Sequence, residues 1–449
     1  MKNYADKIRL QLVNGPQGAS YLIDLLGISQ PTLSRILRSM DSEIIRFGAA
    51  RSIQYALKDR QRSQLDMPIY RVNPQGQIEA LGQLTAVHPQ GFVMQQTDGR
   101  RHYSQGLPWW LLDMRPQGYQ ARAWAARHAS GLQLPSRLED WSDSQALEAR
   151  LLHGHDHDCV GHLLLGEKAR QRFVSQPEWE AIETANKAKH YVALAAGASQ
   201  GAQGNALVGG DQPKFTAYAQ TASGPRHVIV KFSEAHAGAV AERWRDLLLA
   251  EHLALRTLAK HGVAAALSRC LDANGQRFLE IQRFDRVGDL GRRGLVSLAA
   301  LDAEFVGAAQ SGWPAITRQL ARGKYIAPEA ADQAALLWAF GSLIGNTDMH
   351  GGNLSFLTDK GRPYQLAAAY DMTPMALAPR TGGSLPESIP SLLLRADVAP
   401  AHWRQGASLA QHWLARVQES PHFSPRFSAC IQALQTHLAD ANVQIARLA

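Results

Sequence analysis

Residues 335–357 read ALLWAFGSLIGNTDMHGGNLSFL. The pattern predicts an apolar helix, a polar loop and then a short strand. Asp348 and Asn353 stand five positions apart in that loop, with His350 between them. A carboxylate there can accept the proton of an attacking hydroxyl, and an amide oxygen five residues on can serve Mg²⁺. Protein-kinase catalytic loops use this Asp-x₄-Asn gap for those two tasks. His350 can orient the loop or rest on its backbone. Burying three polar side chains behind an apolar helix is costly unless they are paired or bind a metal.

Outward from this loop, three further pieces occur in the order that phosphoryl transfer needs. Downstream, AAAYDMTPMAL (367–377) ends an apolar run at Asp371, and Pro374 then bends the chain. A carboxylate at that point can chelate the metal of a nucleoside triphosphate. Upstream, RHVIVKFS (226–233) alternates as a strand, with Val228, Val230 and Phe232 on one face and Lys231 with Ile229 on the other. In the helix that follows, Glu251 falls at the edge of a stripe formed by Leu247, Leu248, Leu255 and Leu258. A strand lysine paired with a helix glutamate is how protein kinases hold the α- and β-phosphates. An ordinary surface pair would show the same two residues. The glycine-rich stretch GASQGAQGNALVGGDQPKFTAY (197–218) precedes that strand. Gly209 and Gly210 free backbone N–H groups to approach phosphate, with Gln212 and Lys214 close behind. The GxxxxGK[ST] pattern of a P-loop is missing.

The first sixty residues carry a different chemistry. In SYLIDLLGISQPTLSRILRSM (20–40), Gly27 separates two short helices, Ser29 can cap the second, and Pro31 lies in its first turn. Leu33, Ile36 and Leu37 face inward, leaving Gln30, Thr32, Ser34, Arg35 and Arg38 outside. Two β-type runs around Gly48 follow, flanked by Arg46 and Arg51. The order is that of a winged helix-turn-helix, with base readout expected from Gln30, Thr32, Ser34 and Arg35, Arg38 as a further DNA-binding residue, and a wing arginine such as Arg46 in the minor groove or on phosphate. A small helical domain with a solvated basic face shares the pattern.

The chain has 449 residues, 45% hydrophobic and 19% charged, with a net charge of +8. That length suits about three packed domains of roughly 150 residues. The positive balance suits a polyanionic partner. Three scattered cysteines, Cys159, Cys270 and Cys430, exclude a disulfide framework and favour a reducing compartment. The N-terminus lacks a signal-peptide core, and no run approaches the ~18 apolar residues of a membrane span. A cytoplasmic protein with no membrane partner is expected. HGHDHDCVGHLLLG (153–166) suggests a metal, but no second Cys/His cluster completes a tetrahedral site, and a β-hairpin edge is expected instead. Trp109 and Trp110 are expected as core or interface anchors.

The segments HDCVG (157–161), GGDQPK (209–214), IQRFDR (281–286), NTDMHGGN (346–353) and AAAYDMTP (367–374) resemble the HipA family of serine/threonine kinase toxins, over roughly residues 70–440. The helix-turn-helix ahead of them is similar to that of the stand-alone branch represented by YjjJ. The resemblance implies an α+β protein with a two-lobed, protein kinase- and phosphatidylinositol kinase-like domain. It divides the chain into a winged helix-turn-helix (1–60), a linker (61–70), an N-terminal subdomain with the N-lobe (71–288) and a helical C-lobe (289–449). ATP and Mg²⁺ would lie between the lobes. Lys231 would hold phosphates, Asp348 would act as base, Asn353 and Asp371 would bind Mg²⁺, and Gln282 and Phe284 would lie beside adenine. The implied substrate is a protein, an aminoacyl-tRNA synthetase being the family example. The resemblance implies a HipB-like antitoxin as partner, while DNA is expected from the helix-turn-helix itself and a homodimer because such motifs commonly bind palindromes as dimers. Leu207 stands where HipA carries a self-phosphorylated serine, with Ser199 eight residues earlier, which argues against autoinhibition by that route. Gln282 stands where HipA has Glu. A rival reading is a DNA-binding regulator whose kinase-like part senses nucleotide without transferring phosphate.

Overall fold

The computed structural model describes residues 2–49, 52–62, 66–152, 159–199 and 212–448. Arg51, the histidine-aspartate run 153–158, Leu207, Gly209 and Gly210 lie outside the described residues.

Three helices open the chain: α1 (Lys2–Leu12), α2 (Ala19–Leu26) and α3 (Gln30–Ser39). Gly27 ends α2 at φ 61° with its N–H on the Ile23 carbonyl, a left-handed stop that glycine adopts without a Cβ clash. Ser29 stands at the N-cap of α3, but its hydroxyl meets Thr32 Oγ1 at 3.0 Å and caps no backbone N–H. The expected cap therefore does not form. Leu33, Ile36 and Leu37 turn inward onto Ile8, Leu12 and Leu22. A three-stranded sheet completes this unit. Its strands β1 (Gln17–Gly18), β2 (Ile44–Phe47) and β3 (Gln54–Leu57) lie in the order β1-β3-β2.

The next unit is a five-stranded antiparallel sheet. Its strands are β4 (Met67–Val72), β5 (Ile78–Val87), β6 (Gly91–Gln96), β7 (Arg101–Ser104) and β8 (Leu163–Leu165), in the order β7-β6-β5-β4-β8. At Gly82 in β5, φ is 146° and a Cβ would stand 1.9 Å from the Gln95 carbonyl oxygen, so only glycine fits the sheet there. The stretch 61–70, expected as a linker, is corrected by two observations. β4 already begins at Met67, and Arg62 donates to the carbonyls of Val87 and Gly91. A 3₁₀ turn (Trp109–Met114) and helices α4 (Gly118–His128), α5 (Asp143–Leu152) and α6 (Gly166–Ser175) surround the sheet.

Helix α7 (Lys187–Ser199) leads toward the glycine-rich stretch. After it comes a four-stranded sheet of β9 (Lys214–Thr221), β10 (Gly224–Phe232), β11 (Ser268–Ala273) and β12 (Gln276–Gln282), ordered β11-β12-β10-β9. Alternation along β10 sends Val228, Val230 and Phe232 into one core with Phe215, Phe278 and Tyr191. Helix α8 (Ala239–Lys260) covers the other face.

The C-terminal part begins with the short strands β13 (Arg286–Val287), β14 (Gly291–Arg292) and β15 (Leu295–Ser297), then α9 (Leu298–Phe305), α10 (Gly312–Arg322) and α11 (Pro328–Leu343). Strands β16 (Ser355–Leu357) and β17 (Gln365–Leu366) and helices α12 (Pro400–Glu419) and α13 (Ser428–Ile445) complete it. Trp313, Trp403, Trp413, Phe340 and Phe427 are buried in its large apolar core, which α8 shares through Leu247, Leu255 and Leu258. Trp109 packs against this core, its ring 5.3 Å from Phe305, while Trp110 packs in the core of the five-stranded sheet.

Candidate active site

The register of β9 against β10 sets Lys214 directly opposite Lys231, so both side chains project from the same face of the sheet. They are 5% and 4% exposed. Two like charges in that position repel unless anions meet them, and the anions come from two other elements. Lys231 Nζ donates to both carboxylate oxygens of Glu251 on α8, at 2.7 and 2.8 Å, and to Asp371. Glu251 is 0% exposed, and the Thr373 hydroxyl donates to its second oxygen at 2.8 Å. Burial pushes the Lys231 ammonium down, but Asp371 and Glu251 outweigh it and hold the group above its ordinary value. Burial pushes the Asp371 carboxyl up, and Lys231 followed by Lys214 pulls it below the usual carboxylate range.

Asp371 has φ 55°, a left-handed conformation costly for most side chains and concentrated at functional sites. Asn346 fixes it, donating from Nδ2 to the Asp371 carbonyl at 3.0 Å. The Oδ1 of Asn346 accepts the Asp348 N–H at 3.0 Å, so one buried amide ties the segments bearing Asp348 and Asp371 together. Asn353 Nδ2 in turn donates to the Asp348 carbonyl at 2.8 Å. This leaves Oδ1 as the acceptor end of that side chain.

Asn353 is buried, but the Asp348 and His350 side chains are 53% and 57% exposed. The expectation of a buried trio is thus corrected. Backbone contacts shape the loop, and its two titratable side chains face solvent. His350 Nδ1 accepts the Gly352 N–H at 3.0 Å, its Nε2 lies 3.8 Å from Asp348 Oδ1, and Trp313 Nε1 donates to its carbonyl at 2.9 Å.

Gln282 ends β12 with its N–H on the Leu267 carbonyl at 2.8 Å. The Phe284 ring lies 5.8 Å from that of Tyr370, whose hydroxyl donates to the Gly352 carbonyl at 2.7 Å. Gln212 reaches Met375 Sδ at 3.9 Å through Nε2, while its buried Oε1 has no hydrogen-bond partner among the described residues. Lys231, Glu251, Asp371, Asp348 and Asn353 are therefore joined in one network of hydrogen bonds through Asn346. At the other end of the chain, Gln30, Arg35, Arg38 and Arg46 are exposed, Ser34 is half-buried, and Thr32 is half-buried against Ser29.

Sequence reasoning missed Asn346 and Thr373, although both sit inside the quoted motifs. It also missed Arg243, which donates from α8 to the carbonyls of Leu377 and Pro386 at 2.8 and 2.7 Å. Asp113 was missed as well. It accepts the Ser297 N–H and hydroxyl at the start of α9, at 2.6 and 2.5 Å.

Together these elements define a mixed α/β protein built around a lysine, a glutamate and an aspartate drawn from a strand, a helix and a loop. Residues 206–441 match the family model described as HipA-like C-terminal domain, and residues 63–174 match the YjjJ-like toxin, middle domain. Toxin YjjJ of Escherichia coli (strain K12) is 36% identical over 439 residues, which cover 97% of this chain and 98% of that protein. The chain belongs to the HipA-like toxin family, in its YjjJ-like branch, as the motif resemblance implied. Among solved structures, HipA in the Shewanella oneidensis complex of HipA, HipB and operator DNA is similar at 15% identity and a TM-score of 0.46. That match covers 85% of this chain and 97% of that one. The Helicobacter pylori proinflammatory kinase CtkA is similar at 13% identity and a TM-score of 0.37, covering 52% and 90%. Among the described residues, no helix is long and apolar enough to cross a membrane.

Proposed function

We propose that the protein is an ATP- and Mg²⁺-dependent serine/threonine protein kinase that inhibits growth by phosphorylating a protein, an aminoacyl-tRNA synthetase being the family precedent. The observation that carries this reading is the meeting of Lys231, Glu251 and Asp371 in one ion cluster, joined through Asn346 to the loop bearing Asp348 and Asn353.

The residues fit the cofactor. Lys214 and Lys231 stand side by side, as a polyphosphate requires. Asp371 and the acceptor end of Asn353 are hard oxygen donors suited to Mg²⁺. No group of three or more His, Cys, Asp or Glu that could hold a metal occurs among the described residues. That suits an ion held largely by substrate phosphates with one or two side chains. The buried Gln212 Oε1, without a donor among the described residues, is an acceptor a ligand donor could meet.

Bound ATP–Mg²⁺ supplies the electrophilic phosphorus and neutralises developing charge. The chain does the rest. Lys231, positioned by Glu251, and Lys214 would bind phosphate oxygens, a role also proposed for Gly209 and Gly210, which lie outside the described residues. Asn353 and Asp371 would hold the metal, and Gln282 and Phe284 would lie beside adenine. Asp348, exposed at the rim, takes the proton of the incoming serine hydroxyl while His350 steadies the loop. The N-terminal unit is read as a winged helix-turn-helix binding DNA through Gln30, Thr32, Ser34, Arg35, Arg38 and Arg46. A homodimer on a palindrome, a HipB-like antitoxin and a cytoplasmic setting complete the proposal.

The test is expression of the intact chain and of Asp348→Asn, following radiolabelled γ-phosphate transfer, growth and nucleotide binding. Transfer and toxicity should vanish while nucleotide binding stays nearly intact. Persistence of both would sink the catalytic assignment, and a DNA-binding regulator without phosphotransfer would show no phosphoprotein in either case.

A further inference from the structure

A cleft of about 670 Å³ lies between the N-terminal unit and the five-stranded sheet. One wall is α3 and β2, contributing Ser34, Arg38 and Arg46. The other is the sheet, contributing Gln83 of β5, Gln95 of β6 and Arg101 of β7.

The two walls are fixed to each other. Ile45, Phe47 and Ala56 pack on Val87 and Val93, and the rings of Phe47 and Tyr103 stack at 5.1 Å. The Asp59 N–H donates to the Ala86 carbonyl at 2.9 Å. Arg101 spans the junction, with Nε on Gln95 Oε1 at 2.9 Å and Nη1 on the Arg46 carbonyl at 3.0 Å. The cleft is therefore a built feature, with its arginines at set positions.

Its charge is lopsided. Arg38, Arg46, Lys58 and Arg101 line it together with Asp41 and Asp66. Asp66 is already engaged, accepting from Thr85 Oγ1 at 2.7 Å and from Lys58 at 3.5 Å. Three arginines on two facing walls, interspersed with Ser34, Gln83 and Gln95 as neutral hydrogen-bonding groups, match what binds a phosphodiester strand. Helix α3 lends the cleft Ser34 and Arg38, two of the residues read as its DNA-facing set, which favours a duplex over an acidic peptide.

We propose that the five-stranded sheet is the second wall of a duplex-DNA site, so that a phosphate backbone runs between α3 and the β5–β6–β7 face with Arg101 on phosphate. This rests on the DNA-binding reading of the first sixty residues and extends the binding unit beyond them, through residue 104. The contact carries no base information, so it sets register and affinity, not sequence choice.

The experiment uses the full chain, a labelled random-sequence duplex and a salt series, with Arg38→Gln testing the parent reading. Arg101→Gln should weaken binding by the same factor on every duplex and lower the slope of log K against log salt by about one. Arg101→Lys, which keeps the charge, should restore the slope. Gln83→Lys on the exposed rim should steepen it, and because that variant removes no contact it guards against misfolding. If Arg38→Gln weakens binding while Arg101→Gln and Gln83→Lys leave both affinity and slope unchanged, the sheet is not a wall of the site. If the intact chain binds no duplex, or Arg38→Gln binds like it, the parent reading fails and this inference with it. If Arg101→Gln abolishes binding of polyglutamate but not of duplex, the occupant is an acidic protein and the proposal is overturned.

Discussion

Replacing Lys231 by Met should expose how the ion cluster holds the lobe together. The substitution keeps the length of the side chain and removes its charge, leaving the Glu251 carboxylate fully buried with only the Thr373 hydroxyl as a donor among the hydrogen bonds described above. Removing one partner of a buried pair costs about 3–5 kcal/mol. At about 1.4 kcal/mol per factor of ten, that is roughly a hundred- to several-thousand-fold in the local opening constant. Asp371 contributes less to the penalty, because a quarter of its side chain is exposed and can rehydrate. The double variant Lys231→Met/Glu251→Met removes the stranded charge. It should recover all but about 1 kcal/mol, the residue being the acceptor that Thr373 loses.

The penalty also has a pH signature. Asp371 is held below its ordinary value. Its contribution is therefore full above the unfolded-state carboxyl range and is lost as pH falls through the folded value. The gap between variant and parent should then be widest near neutrality and should close as pH falls below the ordinary carboxyl range toward the folded Asp371 value. Native-state hydrogen exchange on the amides of β10 and α8 measures these opening energies directly. A single variant within about 1 kcal/mol of the parent at pH 7, or a double variant no better than the single, would refute the reasoning.

Two further outcomes follow from local geometry. A Cβ on Gly351 would stand 3.0–3.1 Å from Ala299 backbone and Cβ atoms, whereas one on Gly352 meets only the His350 ring. Gly351→Ala should therefore slow phosphotransfer by roughly tenfold or more through a displaced loop while sparing nucleotide titration, and Gly352→Ala should do less; equal effects would contradict the packing argument. His252 is held neutral, lowered from 6.5 to about 4 by burial and then by Arg256 and Arg277. Stability should thus fall as pH drops from about 6.5 toward 4, and His252→Gln should flatten that slope in an unfolding series; an unchanged slope would refute the assignment.

The local patterns were the legible part. Alternation along residues 226–233 correctly separated Lys231 from the apolar face of β10, because a strand repeats every two residues whatever surrounds it. The Asp-x₄-Asn loop and the carboxylate at 371 were legible as side-chain types in order, and the structure adds that Asn346 joins the two segments. Burial was harder. Glu251 was read at the edge of its stripe, yet it is fully enclosed, since the lysine that cancels its charge comes from another element. Asp348 and His350 were read as buried and are open, because the apolar helix before them ends at Leu343 and the loop turns outward. Asn346 and Asp113 act across 25 and 184 residues. No periodicity links positions that far apart.

The five-stranded unit also grips the chain where it passes from the four-stranded sheet to the C-terminal helices. The buried Asp285 carboxylate accepts two bonds from Arg283 at 2.9 Å, one from Arg286 at 2.8 Å and one from the Gly161 N–H at 2.9 Å. Arg283 reaches on to the Cys159 carbonyl at 3.0 Å. Burial pushes Asp285 up, but the two arginines overcome it and hold the carboxyl well below its usual range. A buried charge satisfied this fully loses several kcal/mol if any one partner withdraws, so residues 283–286 move together with 159–161. Asp113 adds a second tie at the start of α9, and the Ala299 of that helix abuts Gly351 in the loop that bears Asp348 and Asn353. The five-stranded unit is thus tied at two places to segments that lead into that loop.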